Sequence, residues 1–390
     1  MRLSIEQRAA ASVRRGHPWV YREALGKPRG KLPHTGDVVE LVDASGAGLG
    51  AGLYDDRSPI AVRVYVRDGS FDIGRLTSSV ERAVAARDRL FADGETTALR
   101  LCHGEGDRVP GVVLDRYGPI AVLRTDGEAI ARWVEELGPR LKKVLEPRGV
   151  TTLLVRLPEA GAAGEKVRTL WGPEPPPSVD VLEHGITMAV DVVRGQKTGA
   201  FLDQRDNRAY VRGLARGRGR ILNLFSYAGG FSVAAALGGA KEVTSVDIAA
   251  KAHATAQQSF RKNGLDPAAH RFVTADALVY VEDLAKRGER FDVVISDPPS
   301  FAPNEKAVSR ALSSYVRLHR ACARLLAPGG VFCASSCSSH VGMDRFLGTL
   351  DDAALDRSDL CILEQRGAGQ DHPTLAAFPE GRYLKFVVLG

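Results

Sequence analysis

The chain has few cysteines, no long apolar run and little net charge for its size, and each shortage excludes a class of protein. Its 390 residues include five cysteines and no Cys-x-x-Cys pair, which argues against a disulfide framework and a zinc site. No apolar run approaches the roughly 20 residues of a membrane span, and residues 1–15 lack the apolar core of a secretory signal. These shortages predict a cytoplasmic protein with reduced thiols, no metal and no membrane partner.

The remaining composition is that of a globular protein with several domains. A chain of this length buries a full core and is expected to hold two or three domains, since domains usually run ~100 to 200 residues. The formal charge of +6 is modest, although arginines gather around residues 212–220 and basic residues around 140–143. These clusters are compatible with a polyanionic partner. On charge alone, however, they are better explained as solvent-exposed faces of the protein.

Three blocks follow one another along the sequence. Short alternating segments between residues 36 and 66, separated by Gly, Asp and Ser turns, predict a small β-barrel domain. A helix near 76–91 followed by strands, a second helix over 128–144 and a further strand predicts an α+β domain. The stiff segment 172–177 (Gly-Pro-Glu-Pro-Pro-Pro) precedes the last boundary. We therefore predict domains at residues 1–72, 73–180 and 181–390.

Apolar strands alternate with amphipathic helices from about residue 206 to the end of the chain. This alternation predicts a mostly parallel, doubly wound α/β sheet of the Rossmann type, with ligands bound outside the carboxyl ends of its strands. The predicted strands are 221–225, 242–247, 270–274, 291–296, 330–335 and 384–389. The predicted helices are 231–237, 249–263, 277–287 and 308–326.

A glycine turn and two acids follow the first three of these strands. The turn contains Asn223, Phe225, Tyr227 and Gly229, and its backbone can approach a nucleotide-like ligand closely. Asp247 ends the second strand, where a carboxylate can accept hydrogen bonds from both hydroxyls of a ribose.

Asp276 follows the third strand and suits the amino group of an adenine. Either acid could instead cap the helix that follows it. The pyrophosphate fingerprint G-x-G-x-x-G is missing, so the ligand predicted here has a ribose and an adenine but no phosphates. S-adenosylmethionine fits that description.

Two further motifs follow neighbouring strands. Residues 296–301 read Ser-Asp-Pro-Pro-Ser-Phe and residues 335–338 read Ser-Ser-Cys-Ser, which places Asp297 and Cys337 at adjoining strand ends. An acid in a rigid loop beside a cysteine suggests covalent attack on a flat, electron-poor ring such as cytosine. Cys333 lies inside an apolar strand, where a buried hydrophobe is the better interpretation. The other three cysteines are assigned to packing: Cys102, Cys322 and Cys361.

The segment 195–208 (Gly-Gln-Lys-Thr-Gly-Ala-Phe-Leu-Asp-Gln-Arg-Asp-Asn-Arg), together with the Asp-Pro-Pro-Ser-Phe and Ser-Cys-Ser motifs, resembles the RlmI-type class I methyltransferases of large-subunit ribosomal RNA. The resemblance covers the whole chain. Residues 17–20 and the β-rich segment after them resemble the family's N-terminal PUA domain, an RNA-binding barrel, and residues 103–118 resemble its central domain.

This resemblance implies an S-adenosylmethionine-dependent enzyme that forms 5-methylcytidine in large-subunit ribosomal RNA. It implies that Cys337 adds to C6 of the cytosine, while Asp297 hydrogen-bonds or protonates N3. The cofactor-binding residues that it implies are Lys197, Thr198, Phe201 and Gln204, and Asp297 is expected to contact the cofactor as well. The substrate-binding residues that it implies are Pro298, Pro299, Phe301 and Arg208. Some members of the family form dimers, so a homodimer is a further expectation.

Two residues depart from the family pattern, and two other functions stay open. Many relatives carry Lys where this chain has Ser300 and a Tyr-Lys pair where it has Tyr315 and Val316. The first alternative is an amino-group methyltransferase acting on guanine or adenine through the Asp-Pro-Pro loop, for which Cys337 would be idle. The second is a noncatalytic RNA-binding factor built on the N-terminal domain.

Overall fold

The computed structural model describes residues 1–26, 32–158 and 165–390. The chain separates into two compact units, each assembled from segments that are distant in sequence. The first unit contains residues 1–181, 190–202 and 370–381. The second unit contains residues 182–189, 203–369 and 382–390.

The first unit begins with a five-stranded sheet in the order β1-β3-β4-β5-β2. Its strands are β1 (Arg2–Ser4), β2 (Trp19–Tyr21), β3 (Val38–Val42), β4 (Gly48–Tyr54) and β5 (Ile60–Val66). Helix α1 (Gln7–Arg15) ends at Gly16, whose left-handed φ of 105° closes the helix. Buried aliphatic side chains, among them Val13, Leu41 and Val62, form the core of this sheet. The predicted small β-rich domain therefore lies here.

A second five-stranded sheet in the first unit has the order β10-β9-β8-β7-β6. Its strands are β6 (Ala98–His103), β7 (Val112–Tyr117), β8 (Ile120–Thr125), β9 (Thr152–Pro158) and β10 (Glu165–Trp171). The accompanying helices are α2 (Ile73–Leu90), α3 (Glu128–Ala131) and α4 (Val134–Leu145). Asp72 caps α2 by accepting a hydrogen bond from the backbone N–H of Arg75. This is the predicted α+β arrangement, with the helix expected over 128–144 divided into α3 and α4.

Strands β11 (Val179–Glu183) and β12 (Ile186–Val190) pair in a separate two-stranded sheet. The second unit is built on a seven-stranded sheet in the order β15-β14-β13-β16-β17-β19-β18. Its strands are β13 (Arg220–Leu224), β14 (Glu242–Asp247), β15 (Arg271–Thr274), β16 (Phe291–Ser296), β17 (Leu326–Ser336), β18 (Ile362–Arg366) and β19 (Lys385–Leu389). Its helices are α5 (Arg205–Leu214), α6 (Gly230–Leu237), α7 (Ala250–Lys262), α8 (Ala277–Lys286), α9 (Val308–Arg324) and α10 (Met343–Ala354).

The predicted doubly wound α/β sheet is confirmed. Strands β13 to β17 run parallel, and only β19 and its neighbour β18 introduce antiparallel pairs. The chain leaves β13 toward β14 on one side and later returns to β16 on the other side of β13. The topological switch point therefore lies between β13 and β16. Ligands bind at the carboxyl ends of strands on either side of such a point.

Among the residues that the structure describes, no helix combines the length and the apolar content needed to cross a membrane.

Candidate active site at the carboxyl edge of the second sheet

The carboxyl ends of four parallel strands lie side by side in the second unit. Leu224 of β13 pairs with both Val246 of β14 and Ser296 of β16, and Ser296 pairs with Ala334 of β17. The glycine turn, Asp297 and Cys337 each follow one of these strand ends, and Asp247 is the last residue of β14. The topology therefore brings the predicted chemical groups to one edge of the sheet.

Two residues of the turn after β13 adopt the left-handed backbone conformation that glycine usually occupies. Phe225 has a φ of 58° and Tyr227 a φ of 45°, and such residues cost on the order of 1 kcal/mol or more each. Gly229 has a φ of 77°, and a Cβ added there would lie 2.6 Å from Cβ of Ala256 on α7. Glycine at this position is thus explained by packing against a helix, whether or not a ligand approaches it.

The two acids predicted to bind the ribose and the adenine differ in their surroundings. Asp247 is half-buried and accepts hydrogen bonds from the backbone N–H groups of Tyr227 at 2.7 Å and Ala249 at 2.8 Å. Each of its two oxygens accepts one of these bonds and keeps a second lone pair. Asp276 is exposed and caps α8, because its Oδ1 accepts bonds from Leu278 and Val279. The cap interpretation of Asp276 is therefore observed.

Buried polar atoms without partners occur beside this turn. The Oδ1 of Asn223 and the Oγ of Ser226 are buried and make no hydrogen bond, while Nδ2 of Asn223 donates to Oγ of Ser232 at 2.8 Å. Buried polar atoms normally find a partner, so unsatisfied ones mark places where a ligand can supply one. Together with the carboxylate of Asp247, they fit a ligand rich in hydroxyl and amino groups, which suits the nucleoside half of S-adenosylmethionine.

Asp297 lies in a hydrogen-bond network at the end of β16. Gln204 is buried, and its Nε2 donates to Oδ1 of Asp297 at 2.9 Å and to Oγ of Ser335 at 2.8 Å. Asn207 donates in turn to Oε1 of Gln204 at 2.7 Å, which fixes the orientation of the Gln204 amide. Burial raises the pKa of Asp297 to about 6, and the nearby Asp203 carboxylate acts in the same direction. Hydrogen bonds from Ser335 and Gln204 oppose this rise without reversing it.

Cys337 follows the last residue of β17 and is half-buried. Its Sγ lies 3.9 Å from the backbone oxygen of Pro298, the residue directly after Asp297. The loop on either side of the cysteine is held by Tyr315, whose hydroxyl lies 2.9 Å from Oγ of Ser336 and 3.0 Å from Oγ of Ser338. The cysteine and the acid are thus neighbours at two fixed strand ends.

The other cysteines differ sharply from Cys337 in their exposure. Burial raises the pKa of Cys333 to about 12, so this thiol stays protonated at neutral pH. Burial also raises the pKa values of Cys102 and Cys322. Cys361 is exposed, so the prediction that it serves packing is wrong. It lies just before β18, an edge strand whose neighbouring side chains are also exposed.

Three residues expected at the cofactor, Lys197, Thr198 and Phe201, belong to the first unit. Lys197 is exposed and has a left-handed φ of 58°. Thr198 is buried, and its hydroxyl donates to Oδ2 of Asp115 at 2.6 Å and lies 2.8 Å from the hydroxyl of Tyr117. The Thr198 hydroxyl therefore serves to anchor the loop that carries Lys197.

Arg208 has a protein partner in the second unit. It is buried on α5, and its Nε and Nη2 donate to the two carboxylate oxygens of Glu183 at 2.9 and 2.7 Å. The expectation that Arg208 binds the substrate does not anticipate this bidentate ion pair. The guanidinium faces used by Glu183 are not open to an RNA phosphate.

The substrate side of the edge contains the two prolines and Phe301. Pro298 is buried, Pro299 is exposed, and Phe301 is half-buried. The ring of Phe301 lies 4.9 Å from that of Tyr315, measured between centroids, and the two planes are tilted by 45°. One face of Phe301 is therefore supported by a buried side chain of α9.

Lys385 was not predicted from the sequence. It is the first residue of the final strand β19 and is buried. Its Nζ donates to the backbone oxygens of Ser338 at 2.6 Å and Tyr383 at 2.7 Å. A single charged residue at the start of an otherwise apolar strand was the available signal. Its meaning depends on strand pairing, which the sequence alone does not reveal.

Two family models and many curated proteins match this chain. A model described as S-adenosylmethionine-dependent methyltransferase matches residues 163–379, and a model described as PUA-like domain matches residues 3–67. The ribosomal RNA large subunit methyltransferase I of Photobacterium profundum is 36% identical, covering 96% of this chain and 95% of that protein. The protein of the same name from Escherichia coli is 34% identical, covering 99% and 98%. The chain belongs to this family.

Solved structures support the membership of this ribosomal RNA large subunit methyltransferase I family. The methyltransferase structure SMU.776, complexed with SAH, has a TM-score of 0.88 at 26% identity and covers 100% of this chain and 99% of its own. A SAM-dependent methyltransferase from Streptococcus mutans gives a TM-score of 0.87 at 25% identity over the same shares. The chain is therefore an S-adenosylmethionine-dependent methyltransferase, and the predicted fold, family and cofactor are confirmed.

Proposed function

We propose that this enzyme methylates C5 of a cytosine in large-subunit ribosomal RNA through a covalent bond between Cys337 and C6 of the base. The relatives carry the name ribosomal RNA large subunit methyltransferase I, and a PUA-like model matches the N-terminal region. The observation that carries the proposal is the adjacency of Cys337 to the Asp297 loop, with Sγ 3.9 Å from the Pro298 oxygen. An amino-group methyltransferase would have no use for a half-exposed thiol at this point.

Cys337 supplies the nucleophile in this mechanism. C5 of cytosine is a poor nucleophile, so the thiolate first forms a bond to C6, and the electron pair of the C5–C6 double bond becomes available at C5. When bound, S-adenosylmethionine supplies the electrophilic methyl group for C5. Loss of the C5 proton then restores the double bond and expels the Cys337 thiolate.

Asp297 makes the ring a better acceptor for the thiolate. The electrons that move during addition to C6 are withdrawn toward N3, so a proton shared with N3 favours the adduct. A carboxyl group with a pKa of about 6 holds a proton at neutral pH far more often than an ordinary aspartate. Gln204 keeps the Asp297 carboxyl oriented. The Pro298 oxygen can accept a hydrogen bond from the exocyclic amine of the cytosine once the Cys337 thiol has lost its proton.

The cofactor assignments follow from the chemistry of the groups at the strand ends. We assign the ribose hydroxyls to Asp247 and the adenine amino group to Asp276, while Asn223, Phe225, Tyr227 and Gly229 form the turn beside them. Gln204 completes the proposed set within the second unit. Lys197, Thr198 and Phe201 belong to the first unit, and their part in cofactor binding stays a prediction. Pro298, Pro299 and Phe301 are proposed to receive the extruded base. Arg208 is not included among the proposed substrate-binding residues, because its guanidinium forms an ion pair with Glu183.

The test is nucleoside mass spectrometry of unmodified large-subunit ribosomal RNA after incubation with the enzyme and S-adenosylmethionine. We expect 5-methylcytidine from the wild type and none from Cys337→Ala. Cys333→Ala is the matched control, because it removes a buried thiol from the same strand and should leave activity largely intact.

A methylated guanosine or adenosine that persists in Cys337→Ala would replace this proposal with amino-group methylation. RNA binding without any consumption of S-adenosylmethionine would contradict catalysis on this RNA. A homodimer and a cytoplasmic location stay predictions.

A further inference from the structure

A buried lysine beside the proposed nucleophile has no part in the mechanism described so far. Lys385 is 2% exposed, and its Nζ contacts two backbone oxygens, those of Ser338 and Tyr383. An ammonium group has three hydrogens to donate, so these two acceptors leave one donor over.

The strand pairing places this cation next to Cys337. Lys385 on β19 lies directly opposite Ser336 on β17, the residue before the cysteine. Its Nζ reaches the oxygen of Ser338, the residue after the cysteine. The side chain of Lys385 therefore spans the backbone position of Cys337, from the residue on one side of it to the residue on the other.

The charge of Lys385 is not balanced by an acid. Within the described ranges, no carboxylate oxygen lies within ion-pair distance of its Nζ, and both of its acceptors are neutral carbonyls. Burying an ammonium without a counter-ion is unfavourable, so such groups usually have a partner in some state of the protein. A thiolate at Cys337 would be that partner.

The other titratable groups around Cys337 make a cation necessary. Asp297 faces it from the end of β16 and Tyr315 from α9. Burial is the main cause that raises the pKa of Tyr315, and the negative charges of Cys337 and Asp297 act in the same direction. An ionised Asp297 would repel a thiolate. Burial lowers the pKa of Lys385 to about 8, while the negative charge of Cys337 acts in the opposite direction, so the lysine is mostly protonated at neutral pH.

We propose that Lys385 is a positioning residue for the nucleophile: it stabilises the Cys337 thiolate electrostatically and so makes the cysteine reactive at neutral pH. Its catalytic consequence rests on the proposed function, but the stabilised thiolate itself can be measured without RNA. The alternative is that Lys385 has a structural role only and holds the Ser338 loop to the start of β19.

The experiment measures alkylation by iodoacetamide at each cysteine, quantified by peptide mass spectrometry between pH 5.5 and 9.5. Iodoacetamide reacts with thiolates, so the pH at half-maximal rate reports each thiol pKa. Full-length wild type, Lys385→Met and Lys385→Arg are compared. Exposed Cys361 serves as an internal reference, and buried Cys102, Cys322 and Cys333 report unfolding because they react only if the core opens.

In the wild type, we expect Cys337 to reach its half-maximal rate at a lower pH than Cys361. In Lys385→Met, the Cys337 profile should shift upward by one pH unit or more, which lowers its rate at pH 7 about tenfold, and Cys361 should not change. Lys385→Arg keeps the positive charge and should stay nearer the wild type. A tie that is only structural would leave the Cys337 profile in place.

Each remaining outcome decides the proposal. An unchanged Cys337 profile in a folded Lys385→Met protein would overturn it, even if methylation of RNA were lost. If Lys385→Met unfolds, the wild-type profile decides, and a Cys337 titration at or above that of Cys361 would overturn the proposal. A shifted profile in an enzyme that forms no 5-methylcytidine would leave the thiolate pair standing and reject the proposed function alone.

Discussion

Asp297 carries a carboxyl group whose ionisation is disfavoured by burial, so its charge costs stability in the folded enzyme. Its pKa rises from the ordinary 3.8 to about 6. Between these two pH values the folded state binds more protons at this group than the unfolded state does, and stability therefore falls as pH rises through 6. The same perturbation that suits the carboxyl to N3 of a cytosine thus weakens the fold.

Asp297→Asn should separate stability from activity. Asparagine keeps the oxygen that accepts from Gln204 but carries no charge, so we expect a gain in unfolding free energy of up to about 3 kcal/mol above pH 7 and little change below pH 4. Methyl transfer should fall by about 100-fold or more, since a general acid is lost. Urea unfolding at pH 4 and pH 7.5 measures the first effect, and an equal change at both pH values would contradict the assigned pKa.

Single residues at strand ends could be predicted from the sequence, whereas their partners could not. Cys337 and Asp297 follow recognisable apolar strands, so their position at one edge follows from the fold class. The contacts of Gln204 with Asp297 and of Arg208 with Glu183 join elements that the sequence does not place side by side. Lys385 was missed for the same reason, because its neighbour depends on an antiparallel pairing.

At the scale of elements, the parallel part of the second sheet was predicted within a few residues at most boundaries. Strand β14 was predicted with its observed bounds, and α8 differs by one residue. Helix α10 and strand β18 were missed. Strand β18 is an edge strand, and Ile362 and Leu363 are exposed, so it lacks the apolar alternation that marks a strand packed on a core.

The turn that opens α6 can be tested with a matched pair of glycine substitutions. Gly229 and Gly264 have similar left-handed φ values of 77° and 71°, but only an added Cβ at Gly229 meets a neighbour, Ala256. Gly264→Ala should cost about 1 kcal/mol from backbone strain alone. Gly229→Ala should cost roughly 1 to 3 kcal/mol more because of the clash and should weaken S-adenosylmethionine binding.

Urea unfolding and calorimetric titration of the cofactor measure these two effects. Equal losses of stability in the two variants would show that packing against α7 does not explain the glycine at 229.

At the scale of the whole molecule, the division of the chain into compact units was the hardest feature to predict. Residues 190–202 and 370–381 join the first unit although the sequence around both belongs to the second. No local sequence pattern predicts that a segment joins a unit distant from it in sequence. Hydrophobic periodicity indicates which face of a segment is buried, but not which element it packs against. The boundaries at residues 72 and 180 stay predictions.

The account depends on one covalent bond, and RNA containing 5-fluorocytidine tests it directly. Fluorine at C5 cannot leave as a proton does, so an enzyme that attacks C6 and transfers the methyl group is trapped on the RNA. We expect a complex that survives denaturation, requires S-adenosylmethionine and maps by peptide mass spectrometry to Cys337, with none formed by Cys337→Ala. Methylation of ribosomal RNA by an enzyme that forms no such complex, or an equal complex with Cys337→Ala, would contradict the role assigned to this cysteine.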